Sequence, residues 1–141
     1  MRYLGLDLGS RTLGIAVSDK TGVIATSYKT IRHNEEYLKL IDEVKKIVDE
    51  LEIDAIVLGF PKNMNNTIGP KGQLSLEFKY KLEQALKIPI YLEDERLTTV
   101  SATNVLISGN VSRKKRKKVV DSVAATIILQ NYLDRTSGKS Q

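Results

Sequence analysis

The sequence predicts an α/β protein in which a mixed sheet has helices on both faces. Three short apolar segments separated by turn residues open the chain, which is typical of an antiparallel meander. Helical and strand-like segments then alternate, as they do where helices join parallel strands. The chain has 141 residues and no internal repeat. It therefore fits one domain, expected over 1–135, with a short disordered tail at 136–141.

The meander begins with the segment YLGLDLG, residues 3–9. Period-two alternation gives this strand one face of leucines and a second face that carries Asp7. A second strand is expected over 13–18, followed by a hairpin turn in which Gly22 is free to take positive φ. The third strand is expected over 23–30.

The alternating part begins with an amphipathic helix over 34–51, for which Asn34 is the predicted N-cap. The apolar segment 53–60 predicts a strand buried on both faces. The remaining elements are a loop at 61–72, a helix at 73–87, a strand at 88–92, a helix from Thr98 or Thr99 to about 109, and a last helix at 119–133.

Composition and charge narrow the function classes. The chain has no cysteine, which excludes thiol catalysis, disulfides and thiolate zinc sites. It shows no secretory leader and no apolar run long enough to span a membrane, so we expect a cytoplasmic protein. The net charge is +5, and residues 113–118 are six consecutive cations. Such a run either binds a polyanion such as nucleic acid or is a solvated loop surface.

Carboxylates occur where aliphatic residues would be less costly to bury. Asp7 interrupts the first apolar strand, residues 93–95 are three acids at the end of the last strand, and Asp121 shares a helical stripe with small apolar residues. Carboxylates that converge repel each other unless cations intervene. Mg²⁺ and Mn²⁺ suit oxygen ligands, and two such ions cleave phosphodiesters in many nucleases. Beside a basic surface, the acids therefore indicate a nuclease.

Four motifs now support a resemblance to a known family. They are DLGSRT at 7–12 with Gly14, GFP at 59–61 with GP at 69–70, DERLTT at 94–99, and VDSVAA at 120–125. In this order they resemble the YqgF (RuvX) family of Holliday junction resolvase-like proteins, whose members are also described as nucleases for the 5′ end of pre-16S ribosomal RNA. The resemblance spans residues 2 to about 134, and DERLTT is its most specific part.

The resemblance implies an RNase H-like fold with a five-stranded mixed sheet and a central metal site. The acids at its motif positions are Asp7, Glu95 and Asp121, which would be catalytic and would bind two Mg²⁺ or Mn²⁺ ions. Strand parity puts Glu93 and Glu95 on one side and Asp94 on the other, and we favour Glu95. The more distant RuvC resolvases carry an acid inside the fourth strand. Here that strand has none, and Glu95 could replace it by reaching over Gly59.

The resemblance thus implies a two-metal endonuclease acting on structured nucleic acid, with ribosomal RNA processing as the leading role and the precursor ribosomal subunit as a partner. An alternative is a Holliday junction resolvase, which needs two active sites and hence a dimer. A second alternative is a non-catalytic RNA- or ribosome-associated factor. The expected phosphate-binding residues are Arg11, Lys62, Arg96, Arg113, Lys115, Arg116 and Lys118.

Two further interpretations concern a nucleotide-binding loop and the single histidine. DLGS with Gly14 is also similar to the first phosphate loop of actin-like ATPases and sugar kinases, but those need two such domains to enclose a nucleotide. The single histidine, His33, precedes a helix with no nucleophile motif nearby, and we expect it in an exposed loop.

Overall fold

The computed structural model describes residues 1–9, 11–61, 69–94 and 113–137, with side chains described except at 113–122 and 137. The elements are β1 (Tyr3–Leu8), β2 (Thr12–Ser18), β3 (Ala25–Arg32), α1 (Tyr37–Leu51), β4 (Ala55–Phe60), α2 (Pro70–Ala85), β5 (Ile90–Asp94) and α3 (Arg113–Ser137). The predicted helix near 98–109 lies outside these residues. Within the described ranges, none of the helices combines the length and apolar content that a bilayer-spanning segment requires.

The five strands form one mixed sheet in the order β3-β2-β1-β4-β5. β2 is antiparallel to both β1 and β3, whereas β1, β4 and β5 are parallel. The carboxyl ends of β1, β3, β4 and β5 therefore lie at the same edge of the sheet. In α/β sheets this edge is where ligands usually bind.

The sheet has a packed core on each face, as the sequence predicts. The larger core places the leucines of β1 against α1 and α2, and its fully buried members include Leu4, Leu6, Val44, Phe78 and Leu82. The smaller core places β2, β3 and β4 against α3 through Ala16, Ala25, Val57, Ala125, Ile128, Leu129 and Leu133. α1 and α3 thus cover opposite faces, and Asp7 belongs to the face of α3 because it alternates with Leu6 and Leu8.

Gly5 allows α3 to approach β1 closely. A Cβ atom at this position would lie 2.8 Å from Cβ of Leu129 and 3.0 Å from the carbonyl oxygen of Ala125. Gly5→Ala should therefore push α3 away from the sheet and lower the free energy of unfolding by about 1–3 kcal/mol. Urea denaturation followed by circular dichroism measures this change.

Gly69→Ala is a suitable control for this substitution. Gly69 precedes α2 with a φ of −89°, which alanine adopts without strain, so the free energy of unfolding should change by less than about 1 kcal/mol. Equal stability of Gly5→Ala and the wild type would show that α3 moves without cost.

The β2–β3 turn is held by the carboxylate of Asp19. It accepts hydrogen bonds from the backbone N–H groups of Thr21, Val23 and Ile24, at 2.9–3.2 Å. These bonds, the one from Ile24 most of all, hold the pKa of Asp19 well below its ordinary value. Gly22 takes a φ of +73°, so the predicted hairpin turn is confirmed.

The structure moves two predicted element boundaries near the first helix. β3 runs from Ala25 to Arg32, two residues later than predicted at both ends, because Val23 and Ile24 belong to the Asp19 turn. α1 begins at Tyr37, so the prediction of Asn34 as N-cap is wrong. The chain turns sharply before the helix, where Glu35 takes a φ of +64°.

Three later elements also differ in their boundaries from the sequence prediction. α2 begins at Pro70, since proline suits the first turn of a helix, so the predicted loop ends three residues early. β5 covers Ile90–Asp94 rather than 88–92. α3 begins at Arg113, and the basic run is therefore helical rather than a loop surface. α3 continues through Ser137, so the first two residues of the tail expected at 136–141 are helical and the last four lie outside the described residues.

Candidate active site

Asp7 lies near the carboxyl end of β1, half-buried on the sheet face that α3 covers. Its partner on β2 is Gly14. On β4 the paired residues end with Leu58 opposite Leu6, and Gly59 follows Leu58 as Asp7 follows Leu6. Neither neighbouring strand has a side chain at this level. The row of Asp7 on β2 and β4 therefore brings no side chain beside its carboxylate, at the edge where the parallel strands end.

The same register extends across the whole sheet and defines a row, which we call the Asp7 row. Its members, from β3 to β5, are Thr30, Gly14, Asp7, Gly59 and Glu93. Side chains in one row share a face of the sheet. Glu93 is therefore on the face of Asp7 but is one strand removed across Gly59. Asp94, which pairs with Phe60, is on the opposite face.

The carboxylate of Glu93 is not available as a simple metal ligand, because it forms an ion pair and hydrogen bond with Arg135 of α3. The Arg135 guanidinium also lies over the ring of Tyr132, 5.6 Å from its centroid. Tyr132 stacks on Tyr91 of β5 at 5.5 Å. Burial, with smaller contributions from Tyr3 and Tyr91, raises the pKa of Tyr132, so this phenol stays neutral at ordinary pH. Sequence reasoning missed Arg135, because nothing in the chain order links it to Glu93.

α3 runs antiparallel to β1 across this face. Tyr132 contacts Tyr3 with ring centroids 5.8 Å apart, and Leu129 and Ala125 lie over Gly5. From Gly5 to Asp7, β1 advances two residues, or about 7 Å. This distance is roughly the rise of one turn of α-helix. By this spacing we expect the turn that contains Asp121 to lie near the level of Asp7. Ala125 and its neighbours on the same stripe are fully buried, which confirms the predicted packing face.

The structure corrects the expectation that His33 is an exposed loop residue. Only 7% of its surface is exposed, and both ring nitrogens are bonded to the backbone. Nε2 lies 3.0 Å from the carbonyl oxygen of Gly9, and Nδ1 accepts the N–H of Glu35 at 3.1 Å. A carbonyl can only accept and a backbone N–H can only donate, so Nε2 is the donor and Nδ1 the acceptor. His33 thus fixes the turn that follows Asp7, a role that its sequence position did not indicate.

The donors present near Asp7 suit a hard divalent cation. The chain has no cysteine, and the backbone occupies both nitrogens of its single histidine, which leaves oxygen ligands. Among the residues with described side chains, no group of three or more acids or histidines is close enough to hold a metal. Of the predicted ligands, only Asp7 has a described side chain; Glu95 lies outside the described residues, and Asp121 is described in its backbone alone.

The structure describes some of the predicted phosphate-binding residues fully, others in their backbone alone, and others not at all. Arg11 is exposed in the β1–β2 turn, directly after the candidate site. Arg113, Lys115, Arg116 and Lys118 are in the first two turns of α3, with their backbone described. Lys62 and Arg96 lie outside the described residues.

The sequence matches a known protein family over nearly its whole length. Residues 1–135 match the family model described as RuvX, Holliday junction resolvase. A relative from Clostridium botulinum strain Hall, described as "Putative pre-16S rRNA nuclease", is 53% identical over 137 residues, which cover 97% of this chain and 99% of the relative. Relatives from further strains of that species carry the same description at similar identity.

Two solved structures share the fold. Thermus thermophilus RuvC in complex with a Holliday junction substrate superimposes with a TM-score of 0.61 at 14% identity, covering 98% of this chain and 96% of that chain. A second structure of the same RuvC gives a TM-score of 0.58, also at 14% identity, with 98% and 97% coverage. The predicted RNase H-like fold is therefore confirmed, and the family-model match over nearly the whole sequence shows that the chain belongs to the RuvX family.

Proposed function

We propose that this chain is a metal-dependent endonuclease that hydrolyses phosphodiester bonds of structured nucleic acid, with the 5′ end of pre-16S ribosomal RNA as its substrate. The observation that carries the proposal is the position of Asp7, half-buried between two glycine positions at the carboxyl edge of the sheet. The relatives that share about half of its residues, over almost their full length, support the RNA substrate.

In this proposal, Asp7, Glu95 and Asp121 hold two Mg²⁺ or Mn²⁺ ions. When bound, these ions activate a water molecule and stabilise the leaving oxygen of the phosphodiester. The glycine positions beside Asp7 leave space for the scissile phosphate. Two features support Asp121 as a partner of Asp7, namely the antiparallel direction of α3 and the close approach at Gly5.

The basic residues bind the rest of the nucleic-acid backbone. The run 113–118 begins the same helix that contains Asp121, so a phosphate chain held along it passes close to the acids. Arg11 is exposed in the turn that follows β1. Lys62, directly after the GFP motif, and Arg96, within DERLTT, complete the proposed set. Binding of this kind reads the backbone rather than base identity.

Removal of divalent metal should abolish cleavage. We expect purified protein to cut 5′-labelled precursor 16S RNA with Mg²⁺ or Mn²⁺, and to lose at least about 100-fold of that rate in EDTA, because the acids alone cannot stabilise the leaving oxygen. Denaturing gel electrophoresis measures the products. Metal added back after EDTA should restore the rate. Undiminished cleavage in EDTA would contradict the metal-dependent mechanism.

A labelled four-way DNA junction in the same assay tests the alternative substrate, which the family description favours. Symmetric junction cutting requires two sites, so a junction resolvase should sediment as a dimer. A monomer that cuts the RNA at a defined position and leaves the junction intact supports the ribosomal RNA role. A protein that binds the precursor RNA but cuts neither substrate would be a non-catalytic RNA- or ribosome-associated factor.

A further inference from the structure

We propose that Arg32, at the end of edge strand β3, forms with Arg11 a phosphate-binding arm on the side of Asp7 away from β5. We call these two residues the β3 arm. The inference rests on the proposed nuclease function for the class of ligand, a nucleic-acid backbone. It adds a binding residue, Arg32, on the β3 side of Asp7.

The register brings the two arginines together at the active-site edge. Arg32 pairs with Thr12, the residue after Arg11, and the backbone N–H of His33 donates to the carbonyl oxygen of Arg11 at 2.8 Å. β3 is parallel to β1, so Arg32 is at the same edge of the sheet as Asp7.

Arg32 also shares a face with Asp7. Thr30 is in the Asp7 row, and Arg32 is the next residue of β3 with the same parity. Two strand spacings and two residues separate the Cα atoms of Asp7 and Arg32 by roughly 12 Å. An arginine at that distance can hold the backbone a few nucleotides from the scissile bond.

The charges of Arg11 and Arg32 are not neutralised by ion pairs within the described part of the chain. Arg11 and Arg32 are exposed, and neither has an ion pair with a described carboxylate. The segment 25–33 contains no acid. By contrast, α1 and α2 interleave their lysines with acids, as in the ion pairs of Lys39 with Glu36 and Lys79 with Glu83. Unpaired arginines on one edge favour a polyanionic ligand.

His33 makes the arm rigid before any ligand binds. This buried ring holds the carbonyl of Gly9, and the His33 backbone holds that of Arg11, so the turn is tied to β3 at two points. A preorganised arginine loses less freedom when it binds phosphate. The edge is also unsuited to pairing with a strand of another protein, because β3 has a bulge between its pairs with Ile15 and Ala16 and an exposed Lys29.

The test measures binding without cleavage. Asp7→Asn protein, with or without Arg32→Gln and Arg11→Gln, is titrated with a fluorescein-labelled RNA hairpin that has a single-stranded 5′ extension, at several salt concentrations. Each arginine that contacts a phosphate contributes roughly 0.7–0.9 to the slope of log K against log salt. We expect Arg32→Gln to lower the slope by that amount, the double variant by roughly twice as much, and Arg32→Lys to keep most of it.

Lys45→Gln with Lys46→Gln is the matched control, since it removes two exposed charges from α1 on the opposite face. It should leave the slope unchanged. Equal slopes for the control and the β3-arm double variant would overturn the proposal, as would capture of a peptide strand at β3 in preference to RNA. The result is independent of catalysis: a wild type that does not cleave would refute the nuclease, while reduced slopes in the arm variants would still establish the arm.

Discussion

Asp7→Asn should reduce the rate of phosphodiester cleavage by about 1000-fold or more, while the protein folds normally. The substitution keeps the shape of the side chain but removes the negative charge that a divalent cation requires. Since Asp7 lies between glycine positions, no neighbouring side chain in its row on β2 or β4 can take over. Single-turnover cleavage of labelled precursor RNA, with saturating Mn²⁺, measures the loss.

Asp42→Asn provides the matched control for this change. Asp42 is exposed on α1, which covers the other face of the sheet, so its neutralisation should leave the cleavage rate within about twofold of wild type. Titration calorimetry with Mn²⁺ adds a readout that does not depend on turnover. Full activity in Asp7→Asn, or unaltered Mn²⁺ binding, would remove Asp7 from the mechanism.

The position of Asp7 could be predicted from sequence because it depends on local rules. Alternation in β1 separates Leu4 and Leu6 from Asp7, and the structure places those leucines in the larger core. The continuously apolar segment of β4 is likewise buried on both faces. Alternation and apolar runs in a strand predict burial well, because they depend on whether a whole face of the sheet is buried.

The missed features depend on contacts between distant segments. His33 is buried because the turn after β1 folds back onto the end of β3, and the start of α1 moves because the same contact turns the chain at Glu35. The ion pair of Glu93 with Arg135 joins residues 42 apart in sequence. Helical and strand periodicity report which face a residue occupies, but they do not identify the partner that it meets there.

Glu95→Gln should lower cleavage by at least about 100-fold, whereas Glu93→Gln and Asp94→Asn should each lower it by less than about tenfold. Asp94 has the opposite parity to Asp7, so its carboxylate is directed away from the site. Glu93 has the right parity but is neutralised by Arg135. Parity alone, which treats Glu93 and Glu95 alike, could not make this distinction.

Arg135→Gln tests whether Glu95 or Glu93 is the metal ligand. If Arg135 keeps Glu93 out of the metal site, removal of the Arg135 guanidinium frees a second carboxylate on the face of Asp7. The double variant, Arg135→Gln with Glu95→Gln, should then regain part of the activity that Glu95→Gln loses. If Glu93 is itself the ligand, Glu93→Gln will be as inactive as Asp7→Asn, and Arg135→Gln will rescue nothing. Single-turnover rates for Arg135→Gln, Glu95→Gln, Glu93→Gln and the Arg135→Gln/Glu95→Gln double variant decide between these assignments, because the ion pair affects only the acid that it holds.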